Sequence, residues 1–336
     1  LLQTWNDIKD QNWDNLLLGN GFSTNIWNKY SYSSLYEYST TNTIQPLLTE
    51  NVKKIFSELA TINFEEVLKA LAFAILVKDA IGEETDELLG LYKNVQDNLF
   101  NTVYAVHVKF EELKIQKIGE ELKYFKKIFT TCYDLIPYWS SFNTLPSTDI
   151  CDFFWSANSS FDPEDTELYG NKSAFYYLHG ALHLKQDLQG KVSKILTTAK
   201  CLPNKSDFDY AGNSTELPLY ISEGKSEYKL KKIQSNSYLT FCYHSFSKMS
   251  GKLLVLGHSL DENYDNHLVE AIRNNEKLTK VAISIYSGLS ETEKDRLKLK
   301  LSANLVRDGL ELYFFESKTH PLINENVKVE VETETV

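Results

Sequence analysis

Short, uninterrupted apolar runs recur along the chain, each closed by a glycine or a polar cluster. Asn15-Leu16-Leu17-Leu18 stops at Gly19-Asn20-Gly21, and similar runs stand at 127–131 (KIFTT), 175–178 (FYYL), 253–256 (LLVL), 281–286 (VAISIY) and 311–315 (ELYFF). Runs of this length without polar alternation predict strands buried on both faces. Between 52 and 128 the pattern changes: Phe56, Leu59, Val67, Leu68, Leu71 and Ile75 recur at threes and fours, as an amphipathic helix demands. Strands alternating with helices predict an α/β fold with a Rossmann-like, mostly parallel sheet and ligands at the carboxyl ends of the strands. Segments 1–51 and 129–324 then form the core, 52–128 a mainly helical insertion or cap, and 325–336 an acidic tail, either an edge strand or frayed. The polar stretch 201–216 reads as an exposed loop.

Composition narrows the partners. With 42% hydrophobic and 13% aromatic residues, a chain of 336 can fill a sizeable core, so disorder is not expected. A net charge of −11 argues against direct nucleic-acid binding, which draws on clustered Lys and Arg. No run approaches the roughly 18 apolar residues that span a bilayer. The opening LLQTWNDIKDQNW also lacks the basic-then-apolar order of a secretory signal, so the expectation is a cytoplasmic protein with no membrane partner. Cysteines at 132, 151, 201 and 242 form no C-x-x-C pair and read as reduced thiols.

Five segments at strand ends could carry chemistry. In LLLGNGFSTN (16–25), glycines after a strand allow a tight turn and let backbone N–H groups approach a pyrophosphate. FTTCYD (129–134) places hydroxyls, a thiol and a carboxylate beyond a strand, on the side that faces a ligand crevice. YYLHGALHL (176–184) sets His179 before a glycine. His183, four residues on, could share a helical face with it as a two-histidine metal pair, although no H-E-x-x-H is present and no metal is expected. KLLVLGHSLDEN (252–263) is again strand, glycine turn and helix start, with Ser259 or Asp261 as cap. ISIYSG (283–288) could bring Ser287 to the far end of a dinucleotide. Taken singly, each has an ordinary explanation as a turn, a cap or a buried histidine.

Taken together, GNGFS, TTCYD, LHG and LGHSL occur in the order and positions that resemble the sirtuin-like NAD-binding family, with its G-x-G-x-S, T-T-N-Y-D or T-Q-N-x-D, H-G and L-G-x-S motifs. Further pieces, among them IWNKYSYSSLYE, NFEEVLKAL, DFFW and LPLYISEG, resemble a bacterial subgroup of that family and extend the likeness over most of 10–290. The resemblance implies an NAD hydrolase of prokaryotic antiviral defence, an oligomer that a separate sensor or regulatory subunit can switch on. The four-cysteine zinc module of the deacylase branch has no counterpart here.

Carried over residue by residue, the resemblance implies that Gly19, Asn20, Gly21, Phe22 and Ser23 cradle the phosphates and inner ribose. Gly257, His258 and Ser259 would hold the adenosine side, and Thr131 and Ser287 would add contacts to the dinucleotide. His179 would be the general base, with Cys132 and Asp134 as its catalytic companions. Cys132 stands where the family has asparagine, and a thiol cannot replace an amide that both donates and accepts. Three readings follow: a naturally weak or silent NAD binder that signals through a partner, a disarmed enzyme, or an enzyme in which other residues compensate. A Cys132 nucleophile paired with His179 is a fourth, from a different class of enzyme.

Overall fold

A computed structural model describes residues 2–31, 34–156, 158–168, 171–221 and 224–329. Most of the acidic tail, from 330 on, lies outside the described residues. The described residues hold ten strands: β1 (Asn15–Leu18), β2 (Lys127–Thr130), β3 (Ile150–Cys151), β4 (Ser173–Tyr177), β5 (Gly180–Asp187), β6 (Val192–Lys194), β7 (Glu216–Tyr220), β8 (Gly251–Leu256), β9 (Leu278–Ile285) and β10 (Glu311–Glu316). Seven of them form a wholly parallel sheet in the order β10-β9-β8-β1-β2-β4-β3. Its central strands are apolar and sealed on both faces: Leu16, Leu17 and Leu18 of β1 and Leu253 to Leu256 of β8 are fully buried. This is why their sequences run apolar without alternation.

Without the two-residue edge strand β3, the order β4-β2-β1-β8-β9-β10 is the 3-2-1-4-5-6 order of a doubly wound Rossmann-like sheet. The chain winds from β1 toward one edge and from β8 toward the other, so the switch point falls between these two strands. Leu18 is level with Thr130 on one side and Leu256 on the other. Gly19, Thr131 and Gly257 therefore leave the sheet side by side, where a crevice must open.

Twelve α-helices are described: α1 (Trp5–Ile8), α2 (Asn20–Ile26), α3 (Leu35–Thr41), α4 (Glu50–Glu58), α5 (Phe64–Ala80), α6 (Asp86–Val106), α7 (Ile115–Leu122), α8 (Ile136–Phe142), α9 (Ser226–Gln234), α10 (Ser237–Ser247), α11 (Glu262–Arg273) and α12 (Glu291–Leu305). Helices α4 to α7 occupy the segment with helical periodicity. α6 is tied to α2 by the Trp27 indole, which donates to Val106 O (2.8 Å), and to the 201–216 loop by Tyr92 Oη, which donates to Phe208 O (2.8 Å).

All six strands expected from the apolar runs are present, and four are not foreseen. Besides β3, the sequence hides a second sheet, antiparallel, in the order β6-β5-β7. The run FYYLHGALHL conceals a break: Gly180 has φ +73°, and a Cβ there would lie 2.2 Å from Leu219 O. β4 ends and β5 begins across this turn, so 180–187 is strand rather than helix. His183 consequently does not share a helical face with His179. It is fully buried, its ring stacked on Tyr138 (4.1 Å, 11°), and neither ring nitrogen has a hydrogen-bond partner among the described residues.

Candidate active site

The two glycine turns at the switch point lock into each other. Gly19 N–H donates to Leu256 O (2.9 Å) and Gly21 N–H to Gly257 O (2.8 Å). A Cβ on Gly19 would lie 2.6 Å from Gly257 O, and one on Gly257, whose φ is +65°, only 2.2 Å from Phe22 N. The glycines are thus demanded first by the approach of one backbone to another, before any ligand is considered.

A cleft in two lobes opens over these turns, and both lobes share Asn20, Gly21, Gly257, His258 and Ser259. The inner lobe, about 310 Å³, reaches Thr131, Cys132, His179, Lys229 and Asp265. The outer lobe, about 880 Å³, runs past Ser284 and Tyr286 to Leu297 and Leu301 of α12. A separate hollow of about 700 Å³ beside β6 shares no lining residue with the cleft.

Three buried histidines surround one carboxylate at the inner lobe. His179 follows β4, and its backbone is gripped on the far side, where its C=O accepts from Ile221 N–H (2.7 Å). Its Nε2 lies 3.3 Å from His267 Nε2 and 4.0 Å from Asp265 Oδ1. Asp265 Oδ1 accepts from Lys229 Nζ (2.9 Å), and its Oδ2 faces His258 Nε2 at 3.8 Å. Leu260 N–H donates to His258 Nδ1 (3.0 Å), so a neutral His258 carries its proton on Nε2, toward that carboxylate. Ser226 Oγ accepts from His267 N–H (2.9 Å) and lies 2.9 Å from His267 Nδ1.

Burial opposes ionisation of Asp265, but His258, His179 and the Lys229 ammonium outweigh it and hold the carboxyl at about 2. Burial and then the nearby Lys229 push His179 well below the usual imidazole range, against the pull of Asp265. His267 is pushed down to about 4, and His258 downward too, in both cases first by burial. At neutral pH the cluster holds an ionised carboxylate, a lysine paired with it and three neutral imidazoles. The ligand-bearing atoms of His179, Asp265 and His267 lie within 4.8 Å of one another, and the Lys229 ammonium is paired with the carboxylate of this group (2.9 Å).

Asn20, Gly21, Thr131, Cys132, His179, Gly257, His258 and Ser259 line the cleft as the sequence leads one to expect. Five expected residues do not line it. Gly19 is covered by Gly257 and His258. Phe22 is fully buried in the core. Ser287 sits beyond the outer lobe, its Oγ 3.3 Å from Ser317 Oγ. Ser23 and Asp134 bond each other: Ser23 Oγ donates to Asp134 Oδ2 (2.5 Å), while Asp134 Oδ1 accepts from Ile136 N–H (2.9 Å). Asp134 is therefore held as a brace between α2 and the turn after β2, away from the lining of the cleft. His107 secures the same turn: its Nδ1 donates to Val108 O (2.7 Å) and its Nε2 accepts from Leu135 N–H (3.0 Å).

The Asp134 brace makes a prediction. Burial, partly offset by Ser23 and the Ile136 N–H, raises its carboxyl from 3.8 to about 6. A raised acid contributes stability that is fully present below its unfolded value and is lost as pH rises through about 6. Asp134→Asn should therefore stabilise the protein at pH 8 by up to about 3 kcal/mol and give no gain near pH 4. Urea midpoints at the two pH values check this, and a variant less stable than the native protein at pH 8 would refute it.

Asp265, His267, Lys229 and Ser226 carry no motif. In a regular helix, residues two apart point about 200° away from each other, so DNH reads as ordinary polar helix surface. The backbone of α11 breaks at Asp265 (φ −139°, ψ 31°), which lets both side chains reach His179. That break has no sequence signal.

Fold and cleft together define a doubly wound α/β protein with a histidine-lined crevice at its switch point. The chain belongs to the family described as a domain of unknown function, DUF4917, which matches residues 16–322. No curated protein matches it. Among solved structures it is similar to a Sir2 homologue, a serine-to-alanine mutant in complex with ADP ribose. That pair is 12% identical over 95% of this chain and 92% of the other, with a TM-score of 0.39. Among the described residues, no helix is long and apolar enough to cross a membrane.

Proposed function

We propose that the protein binds NAD across both lobes and cleaves its nicotinamide–ribose bond with water. The observation that carries this reading is a neutral, buried histidine backed by an ionised carboxylate, in a crevice that opens at the switch point over two interlocked glycine turns. In this reading the outer lobe takes the adenosine, between Ser284 and the apolar side chains of α12, and the inner lobe takes the nicotinamide ribose beside His179. The C1′–N bond breaks with its electron pair passing to the pyridinium nitrogen, so nicotinamide leaves neutral. A water oxygen bonds C1′, and its proton passes to His179. Asp265 offsets the charge that His179 then carries.

Burial, with Asp134 adding to it, pushes the Cys132 thiol up to about 12, so it stays protonated and makes a poor nucleophile. Because Cys132 lines the inner lobe, it also favours a second reading, an NAD-binding subunit with little turnover that signals through a partner on α4 to α7. The NAD-depleting role in antiviral defence, and a regulatory subunit, rest on the motif resemblance.

Nicotinamide release from NAD by the native protein and by Cys132→Asn separates these readings. An amide at 132 is expected to raise the rate by at least about tenfold, roughly 1.4 kcal/mol of barrier, with little change in NAD affinity. No nicotinamide from either protein would sink the hydrolase reading, and equal fast rates would remove position 132 from the chemistry.

A further inference from the structure

We infer that His267 and Ser226 set the tautomer of His179 and so make its cleft-side nitrogen, Nδ1, the base. The inference rests on the hydrolase reading for its consequence, but not for its geometry. His179 lines the inner lobe and its Nε2 is taken by His267, which does not line it; among the described residues nothing bonds Nδ1, which is left for a ligand.

One proton lies between the two Nε2 atoms, 3.3 Å apart. Placed on His179, it is donated to His267 Nε2, and the Asp265 carboxylate, 4.0 Å from His179 Nε2, favours it there electrostatically. Were it absent from His179 Nε2, a lone pair would face that carboxylate, which is repulsive. His267 then carries its own proton on Nδ1 and donates it to Ser226 Oγ, whose two lone pairs take this bond and the one from His267 N–H. Tyr243 Oη donates to His267 O (3.0 Å) and steadies the backbone of the broken helix.

When Nδ1 takes the proton of water, His179 keeps its Nε2–H and becomes an imidazolium, stabilised by the neutral His267 acceptor and by Asp265. His267 is a positioning residue: it holds the ring and its tautomer without touching the substrate. The titratable and charged groups facing His179 are Asp265 and His267 of α11, His258 before it, Lys229 of α9, and Cys132 and Tyr133 across the inner lobe.

The test uses the full chain, native and carrying His267→Phe or His267→Gln. Nitrogen-15 NMR of labelled histidine reads each tautomer directly, and with 7 histidines in the chain the His179 signal is assigned by its loss in His179→Ala. The expected result is a His179 proton on Nε2 in the native protein and a shift toward Nδ1 in His267→Phe. In a background that cleaves NAD, His267→Phe should lower kcat by about a hundredfold, leave KM for NAD unchanged and move the acid limb of the pH profile. His267→Gln, whose amide oxygen can accept, should recover most of the rate. A His179 proton on Nδ1 in the native protein would overturn the inference, as would an unchanged tautomer in a folded His267→Phe. If NAD is never cleaved, the hydrolase reading falls, and the nitrogen shifts still decide the tautomer.

Discussion

His179→Ala is expected to cut nicotinamide release by about a hundredfold or more, while the chain stays folded and still binds NAD. The loss is large because no other group in the inner lobe can take the proton. Cys132 is a protonated thiol, His258 turns its proton to Asp265 and its other nitrogen to Leu260 N–H, and Asp265 is committed to Lys229. NAD affinity should change little, since the shared turns and the outer lobe hold the rest of the ligand and the imidazole acts mainly as charge develops. Circular dichroism and NAD titration check the first condition, and a nicotinamide assay the second. Unfolding together with loss of activity would mean that His179 packs the core rather than acts on a ligand.

Gly257→Ala is expected to be the most damaging single methyl group in the site. At φ +65° a side chain already costs about 1 to 2 kcal/mol. Here the added Cβ also meets Phe22 N at 2.2 Å and Gly21 C at 2.6 Å, both backbone atoms with no side chain to swing away. The turns must part, and a total loss of at least about 3 kcal/mol, with loss of NAD binding, should follow. Gly190→Ala is the control: its φ is +87° but nothing lies within 4 Å of its Cβ, so only the conformational cost applies. Urea unfolding of both variants measures the difference. Equal losses would mean that the interlocking of the turns contributes nothing.

The glycines were legible in the sequence, though for an incomplete reason. A glycine after an apolar strand points to a turn at a ligand crevice, and both turns lie there, but their spacing cannot reveal that one backbone rests against the other. The central strands were legible because burial on both faces forces continuous apolar runs. β5 was not, since Gly180 joins two strands within one such run and leaves no polar gap. His179 could be found from its place at a strand end, whereas His183, four residues on, is a core residue against Tyr138. The inward turn of Asp134 was not legible, because a polar residue beyond a strand end can face a serine as readily as a ligand. Asp265 and His267 were hidden most completely, because only a break in α11 brings them to His179.

The central claim, that this cleft takes NAD, is tested most directly by the melting temperature of the purified protein in increasing NAD. A ligand bound only by the folded chain must stabilise it by mass action, by about 2.7 kcal/mol at a hundred times its dissociation constant. A rise that saturates with NAD, and that neither RNA nor DNA reproduces, is the predicted result. A melting temperature that stays unchanged up to millimolar NAD would contradict the account.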